Sequence, residues 1–169
     1  MDFGGTIVLV TGAGSGIGHA IAQKFAAAGA TVIATDADGA SAEKTAQAIK
    51  ETGGTVHAYP LDICDQSAID ALKAELSAKG LLPSVLVNNA GWFRPEPFLK
   101  NTHEFWRKII DTNLLGPVMV TRAFLDPMIE SGKGGKIVSI SSDAGRVGSA
   151  GETVYAGAKG GIIAFTKSL

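Results

Sequence analysis

One cysteine, Cys64, is all the chain has in 169 residues. An internal disulfide needs two and a cysteine-rich zinc site needs more, so both classes drop out. His19, His57 and His103 are the only histidines and lie far apart with no ligand spacing, so no metal site is expected. Charge of one sign is also missing. Fifteen Lys and Arg against 16 Asp and Glu leave a formal charge of -1, which offers no broad basic field to nucleic acid or an anionic membrane surface. Long apolar runs are absent too: the start MDFGGTIVLVTG has no basic n-region, and its run from Thr6 to Val10 is too short for a signal peptide or a membrane span. These absences predict a soluble, cytoplasmic protein that binds neither nucleic acid nor membrane.

What the chain does have is glycine, 22 residues of it, with 46% hydrophobic and only 18% charged residues. The apolar excess comes from Ala, Gly, Val and Ile, a mixture that suits a buried parallel sheet wrapped by alanine-rich helices. Five short runs rich in β-branched residues read as strands buried on both faces: Thr6–Thr11, Thr31–Thr35, Thr55–Tyr59, Ser84–Val87 and Lys136–Ile140. Helical spacing fills the intervals, at Gly16–Ala28, Ser41–Thr52, Gln66–Ala78 and a longer stretch from about Thr102 to Ile129, where Gly116-Pro117 predicts a bend or a change of register. Gly29, Gly53 and Gly80 sit where helices should stop, and Asp65 and Thr102 where two should start. Strand then helix, repeated, predicts an α/β doubly wound parallel sheet, one domain over residues 1–169, with ligands at the carboxyl ends of the strands.

The first strand runs into Thr11-Gly12-Ala13-Gly14-Ser15-Gly16-Ile17-Gly18, followed at once by a helix. Glycines there let backbone approach a pyrophosphate, and a helix N-terminus presents free N–H groups and partial positive charge to it. Gly12, Ser15, Gly16, Ile17 and Gly18 are therefore cofactor-binding candidates. Asp36 ends the second strand, 18 residues after Gly18. A carboxylate there accepts hydrogen bonds from both ribose hydroxyls of an adenosine and repels a 2′-phosphate. Thr35–Ala42 contains no Lys or Arg, so the expected cofactor is NAD rather than NADP.

Further signals fall at the later strand ends: Leu61-Asp62-Ile63, Asn88-Asn89-Ala90-Gly91, Ser141-Ser142 and Tyr155-Ala156-Gly157-Ala158-Lys159. With the glycine loop, these resemble the marks of the short-chain dehydrogenase/reductase family over essentially the whole chain. The resemblance implies a Rossmann fold, here truncated after strand five and the following helix, with the usual C-terminal strands and substrate loop lacking. It implies that Asp62 and Ile63 contact adenine and that Asn89, Ala90 and Gly91 line the cofactor. It also implies a catalytic set of Asn113, Ser142, Tyr155 and Lys159. Ser142 is preferred to Ser139 and Ser141 because it stands 13 residues before Tyr155, the family's spacing. A homodimer or homotetramer is likewise implied.

The chemistry makes these residue types intelligible. Moving a hydride between a secondary alcohol and a nicotinamide also requires moving the hydroxyl proton, so one side chain must act as acid or base. A phenol titrates near 10, and using one near neutrality requires about 4 kcal/mol of preferential phenolate stabilisation. On a helix Tyr155 and Lys159 are i,i+4 and share a face, which puts an ammonium near the phenol and near a nicotinamide ribose. Ser142 would donate to the substrate oxygen, and Asn113 would hold a water that links Lys159 to solvent.

Ser142–Glu152 and Trp92 look like the matching segments of bacterial family members acting on hydroxyacyl-CoA thioesters, such as 2-hydroxycyclohexanecarboxyl-CoA and 3-hydroxyacyl-CoA dehydrogenases and 3-oxoacyl reductases. The expected substrate is a hydroxyacyl-CoA or an alicyclic alcohol, with Trp92 and Phe93 as apolar wall and Arg94 or Arg146 near an anionic part. The alternative is a non-catalytic dinucleotide-binding or assembly module.

Overall fold

The computed structural model describes residues 2–169. Five strands, β1 (Ile7–Thr11), β2 (Thr31–Asp36), β3 (Thr55–Pro60), β4 (Val85–Asn88) and β5 (Lys136–Ser139), form one parallel sheet in the order β3-β2-β1-β4-β5. The helices are α1 (Gly16–Ala27), α2 (Gly39–Glu51), α3 (Gln66–Ala78), α4 (His103–Ile110), α5 (Gly116–Glu130), α6 (Ala144–Val147) and α7 (Thr153–Ser168). The fold class is the expected one, an α/β doubly wound Rossmann sheet, with strand order reversing between β1 and β4.

Period-two alternation divides the core between the two faces of the sheet. Val8, Val10, Val32, Ala34, Val85 and Val87 meet Ala22, Ala26, Ala46 and Ile49 of α1 and α2. Leu9, Ile33 and Leu86 point the other way, onto Ile69, Leu72 and Leu76 of α3 and Val120, Phe124 and Met128 of α5. Small residues on the first face let α1 and α2 lie close to the sheet, while the second face takes larger side chains, Phe124 among them with no exposed surface.

The helix punctuation agrees with the sequence reading. Gly29, Gly53 and Gly80 follow α1, α2 and α3 with φ of 91°, 82° and 66°, Asp65 caps α3 and Thr102 accepts the Phe105 N–H at the start of α4. The long fourth helix is re-registered just before Gly116-Pro117, where the sequence placed a bend or a change of register. It is two helices joined by one π-helical turn, Asp111–Leu115. Pro117 cannot donate to the Asn113 carbonyl, and a Cβ on Gly116 would stand 2.8 Å from Ile63 Cδ1, so the wide turn follows from a missing donor and a close approach. Two short elements were not anticipated, α6 and a 3₁₀ turn at Phe98–Lys100.

Candidate functional site

At the carboxyl ends of β1 and β4, Thr11 and Asn89 hold the strand ends together. Thr11 Oγ1 accepts the N–H groups of Asn89 and Ala90 at 3.1 Å each, and Asn89 Nδ2 donates to the Thr11 and Gly12 carbonyls at 2.9 and 3.0 Å. Gly12 has φ of 63°, and a Cβ on it would lie 2.8 Å from Ala90 Cα, so backbone meets backbone here. Gly18 is buried in the first turn of α1 against the Gly12 carbonyl. Helices α2, α3 and α4 are each capped by a side chain, from Asp38, Asp65 and Thr102. Helix α1 is not, although Ser15 occupies its N-cap, so no side chain satisfies its leading N–H groups. Ser15, Gly16 and Ile17 are exposed, Ile17 by 63%.

Asp36 closes the other side of this loop. Its Oδ2 accepts the Gly14 N–H at 2.9 Å and its Oδ1 the Asp38 N–H at 3.0 Å. Between Asp36 and the π-helical turn after α4 opens a crevice of about 480 Å³ whose lining includes Gly12, Asp36, Asp62, Ile63, Ala90 and Gly91, six of the cofactor candidates. Lys108, Asp111 and Thr112 line it as well and were missed, although Thr112 stands next to Asn113 and Lys108 one helical turn before it. Lys108 Nζ sits 4.0 Å from the centroid of the Trp92 ring. Cys64 is on the wall, and burial pushes its thiol above the ordinary 9.0, which suits an inert side chain.

A second recess, about 220 Å³, contains Ile17, Asn89, Asn113, Tyr155 and Lys159, and shares Gly91 and Trp92 with the crevice. Asn113 has no exposed surface; its Nδ2 donates to the Trp92 carbonyl at 2.7 Å and the Ile109 carbonyl at 3.0 Å. Lys159 is 5% exposed, donates to the Ile140 carbonyl at 2.9 Å, and lies 5.8 Å from the Tyr155 ring centroid. Burial holds its ammonium below the usual 10.5. A Cβ on Gly91 would stand 2.9 Å from Asn113 Oδ1 and 3.6 Å from Lys159 Nζ, so both polar atoms face one small gap.

Ser142 does not line this recess; Ser141 does. The Ser141 hydroxyl, however, donates to the Lys159 carbonyl at 2.9 Å, whereas Ser142 Oγ accepts the Ala144 N–H at 3.2 Å and keeps its proton for another acceptor. Phe93 packs on Tyr155 with centroids 4.6 Å apart. Neither Arg94 nor Arg146 lines this recess; Arg94 pairs with Glu96 and Arg146 with Asp143. Among the described residues there is no cluster of three or more His, Cys, Asp or Glu fit for a metal, and no helix long and apolar enough to cross a membrane.

This fold and these strand-end motifs have a known counterpart. The sequence model described as short chain dehydrogenase matches residues 6–169, and the chain belongs to that family. Among its relatives is the (3R)-3-hydroxyacyl-CoA dehydrogenase of Rattus norvegicus, 39% identical, the match covering 96% of this chain and 66% of that protein. The 3-oxoacyl-[acyl-carrier-protein] reductase of Escherichia coli strain K12 is also 39% identical, with 100% and 68% covered. A solved 7α-hydroxysteroid dehydrogenase, complexed with NADH and 7-oxo glycochenodeoxycholic acid, superposes with a TM-score of 0.87 at 32% identity, covering 94% of this chain and 62% of that one. The chain spans about two thirds of the length of the curated relatives it matches.

Proposed function

We propose that residues 1–169 are the dinucleotide-binding and proton-transfer part of an NAD-dependent oxidoreductase acting on a secondary alcohol or its ketone. The observation that carries this reading is the meeting of two cavities at Gly91 and Trp92, one lined by Asp36, the other by Tyr155 and Lys159. The first has the donor set of an adenosine site: a carboxylate for two ribose hydroxyls, Asp62 and Ile63 for adenine, and an uncapped helix start for the pyrophosphate. Gly12, Gly16 and Gly18 hold the backbone where the pyrophosphate passes. The nicotinamide, when bound, supplies or accepts the hydride.

The chain's own residues handle the proton. Tyr155 gives it to, or takes it from, the substrate oxygen. Lys159 favours the phenolate by its charge and bonds the ribose; its present acceptor, the Ile140 carbonyl, leaves two further N–H groups of the ammonium for this. Ser142 donates to the substrate oxygen. Asn113 Oδ1 holds a water that passes the proton from Lys159 outward. Trp92 and Phe93 form apolar wall, which fits the acyl or ring portion of a hydroxyacyl-CoA or an alicyclic alcohol, and the two relatives named for acyl thioester chemistry support the same class.

The alternative is a dinucleotide-binding or assembly module without turnover, in which the crevice beside Asp36 takes the cofactor and the recess around Tyr155 turns no substrate over. Half-exposed Ile110 and Leu115 beside the π-helical turn support a homodimer or homotetramer in either case. The test is NADH binding by fluorescence together with NADH formation from a panel of hydroxyacyl-CoA thioesters and cyclic alcohols. Binding with turnover of a thioester supports the enzyme; binding without turnover supports the module; turnover of simple cyclic alcohols alone removes the thioester.

A further inference from the structure

Ala13, in the middle of the glycine loop and with no exposed surface, is held through both of its peptide groups. Its N–H donates to the Thr35 carbonyl at 2.8 Å, and its carbonyl accepts the Thr45 hydroxyl, also at 2.8 Å. Thr45 stands midway along α2 and is 1% exposed; the other buried residues of that helix are Ala42, Ala46 and Ile49, so it alone among them is polar. A hydroxyl has one proton, and a carbonyl can only accept it, so the proton of Thr45 is committed to Ala13. The third member, His19 Nδ1 at 2.9 Å from Thr45 Oγ1, is then the donor to Thr45. Donation runs from His19 of α1 to Thr45 of α2 and on into the loop.

The amide that carries the Ala13 carbonyl ends in the N–H of Gly14, which donates to Asp36 Oδ2 at 2.9 Å. One rigid peptide plane is therefore gripped at opposite ends, its oxygen by Thr45 and its N–H by the carboxylate. If the oxygen is released the plane is free to turn, and turning carries the N–H away from Asp36. We propose that Thr45, backed by His19, is a positioning residue for the dinucleotide: it fixes the Ala13–Gly14 peptide, and through it the Asp36 carboxylate, in the orientation that receives the adenosine ribose. Neither side chain lines the crevice, so both act through the loop. The proposal rests on the cofactor reading above.

The test uses the whole chain. Thr45→Val keeps the side-chain shape, removes the proton, and leaves the Ala13 carbonyl and the His19 N–H without their partner. NADH affinity is read by fluorescence and ADP-ribose affinity by calorimetry. Both dissociation constants should rise by the same factor, on the order of five- to tenfold, the effect of about one lost hydrogen bond. Thr45→Ser should stay within about twofold of wild type, and His19→Phe, which removes only the outer donor, should weaken both ligands by about twofold at an unchanged unfolding midpoint. Wild-type affinity in Thr45→Val overturns the proposal, as does a Thr45→Ser variant as weak as Thr45→Val, since methyl packing would then be the cause. Should Thr45→Val fail to fold, wild-type affinity in His19→Phe overturns it. A wild-type chain that binds neither ligand overturns the cofactor reading and this proposal together.

Discussion

Asn113 donates its amide to the Trp92 carbonyl at 2.7 Å while its Oδ1, wholly buried, has no partner among the described residues. Leaving such an oxygen unpaired costs about 1–3 kcal/mol. A residue kept there despite that cost makes sense if the oxygen is completed in use, and the gap beside Gly91 that it shares with Lys159 Nζ is where a water would complete it. Asn113→Ala should therefore lower dehydrogenation by about 10²-fold, within the range of an acid–base contribution, and leave NADH affinity within about threefold. Steady-state rates beside fluorescence titration check this, and an alanine variant with full turnover removes the relay.

On the proposed reading, Asp36 is the residue that selects between the two dinucleotides. A 2′-phosphate on the ribose would sit against its carboxylate, and like charges ~4 Å apart at an effective dielectric of ~20 repel by about 4 kcal/mol, less where water enters. Asp36→Ser should weaken NADH about tenfold, strengthen NADPH, and so move the preference by about 10²-fold. Gly14→Ala should move it the same way by a smaller factor, because the new Cβ would stand 2.8 Å from Asp36 Oδ2 and 2.6 Å from Ser41 Cβ. Paired titrations with the two reduced cofactors decide it; an unchanged ratio in Asp36→Ser assigns the ribose to another group.

Legibility followed sequence distance. The glycine loop, Asp36 and Asn89 were readable because each lies at or next to the end of an apolar run, and parallel strands bring those ends together by topology. Tyr155 and Lys159 were singled out by the family resemblance; the spacing itself carries only that i,i+4 neighbours on a helix share a face. At Gly116-Pro117 the interruption of the long helix was readable but its π-helical form was not, since that depends also on Gly116 meeting Ile63 from a distant loop. Lys108 over Trp92 and Thr45 beneath Ala13 are tertiary pairings between elements whose separation in the sequence carries no period. Helix α6 is one short turn, and its local signal is Ser142, whose Oγ accepts the Ala144 N–H two residues on.

Tyr155 packs its ring on Phe93, and that contact survives removal of the hydroxyl. Tyr155→Phe should hence unfold within about 0.5 kcal/mol of wild type and bind NADH within about twofold, while losing about 10³-fold in turnover or more. Thermal melts establish the first, titration the second and rates the third. Undiminished dehydrogenation in this variant leaves the phenol with no part in proton transfer.

Lys159 gives a pH signature of its own. Burial places its folded-state pKa below the 10.5 that it keeps in the unfolded chain. Between those two values the unfolded chain binds more protons than the folded one, so this group's contribution to stability rises with pH; below the lower value the burial penalty is complete and constant. Lys159→Met removes the charge and keeps the length, at the loss of the bond to the Ile140 carbonyl. That bond sets a constant offset between the two proteins, and the ammonium sets the slope. Denaturant unfolding of both from about pH 7 to about pH 10 should show wild type gaining on the variant as pH climbs, by about 1.4 kcal/mol for each pKa unit of depression. A difference that stays flat over that interval would mean that the ammonium is solvated as well in the fold as outside it, and the recess around Tyr155 would then be wet enough to screen the charge by which Lys159 is proposed to favour the phenolate.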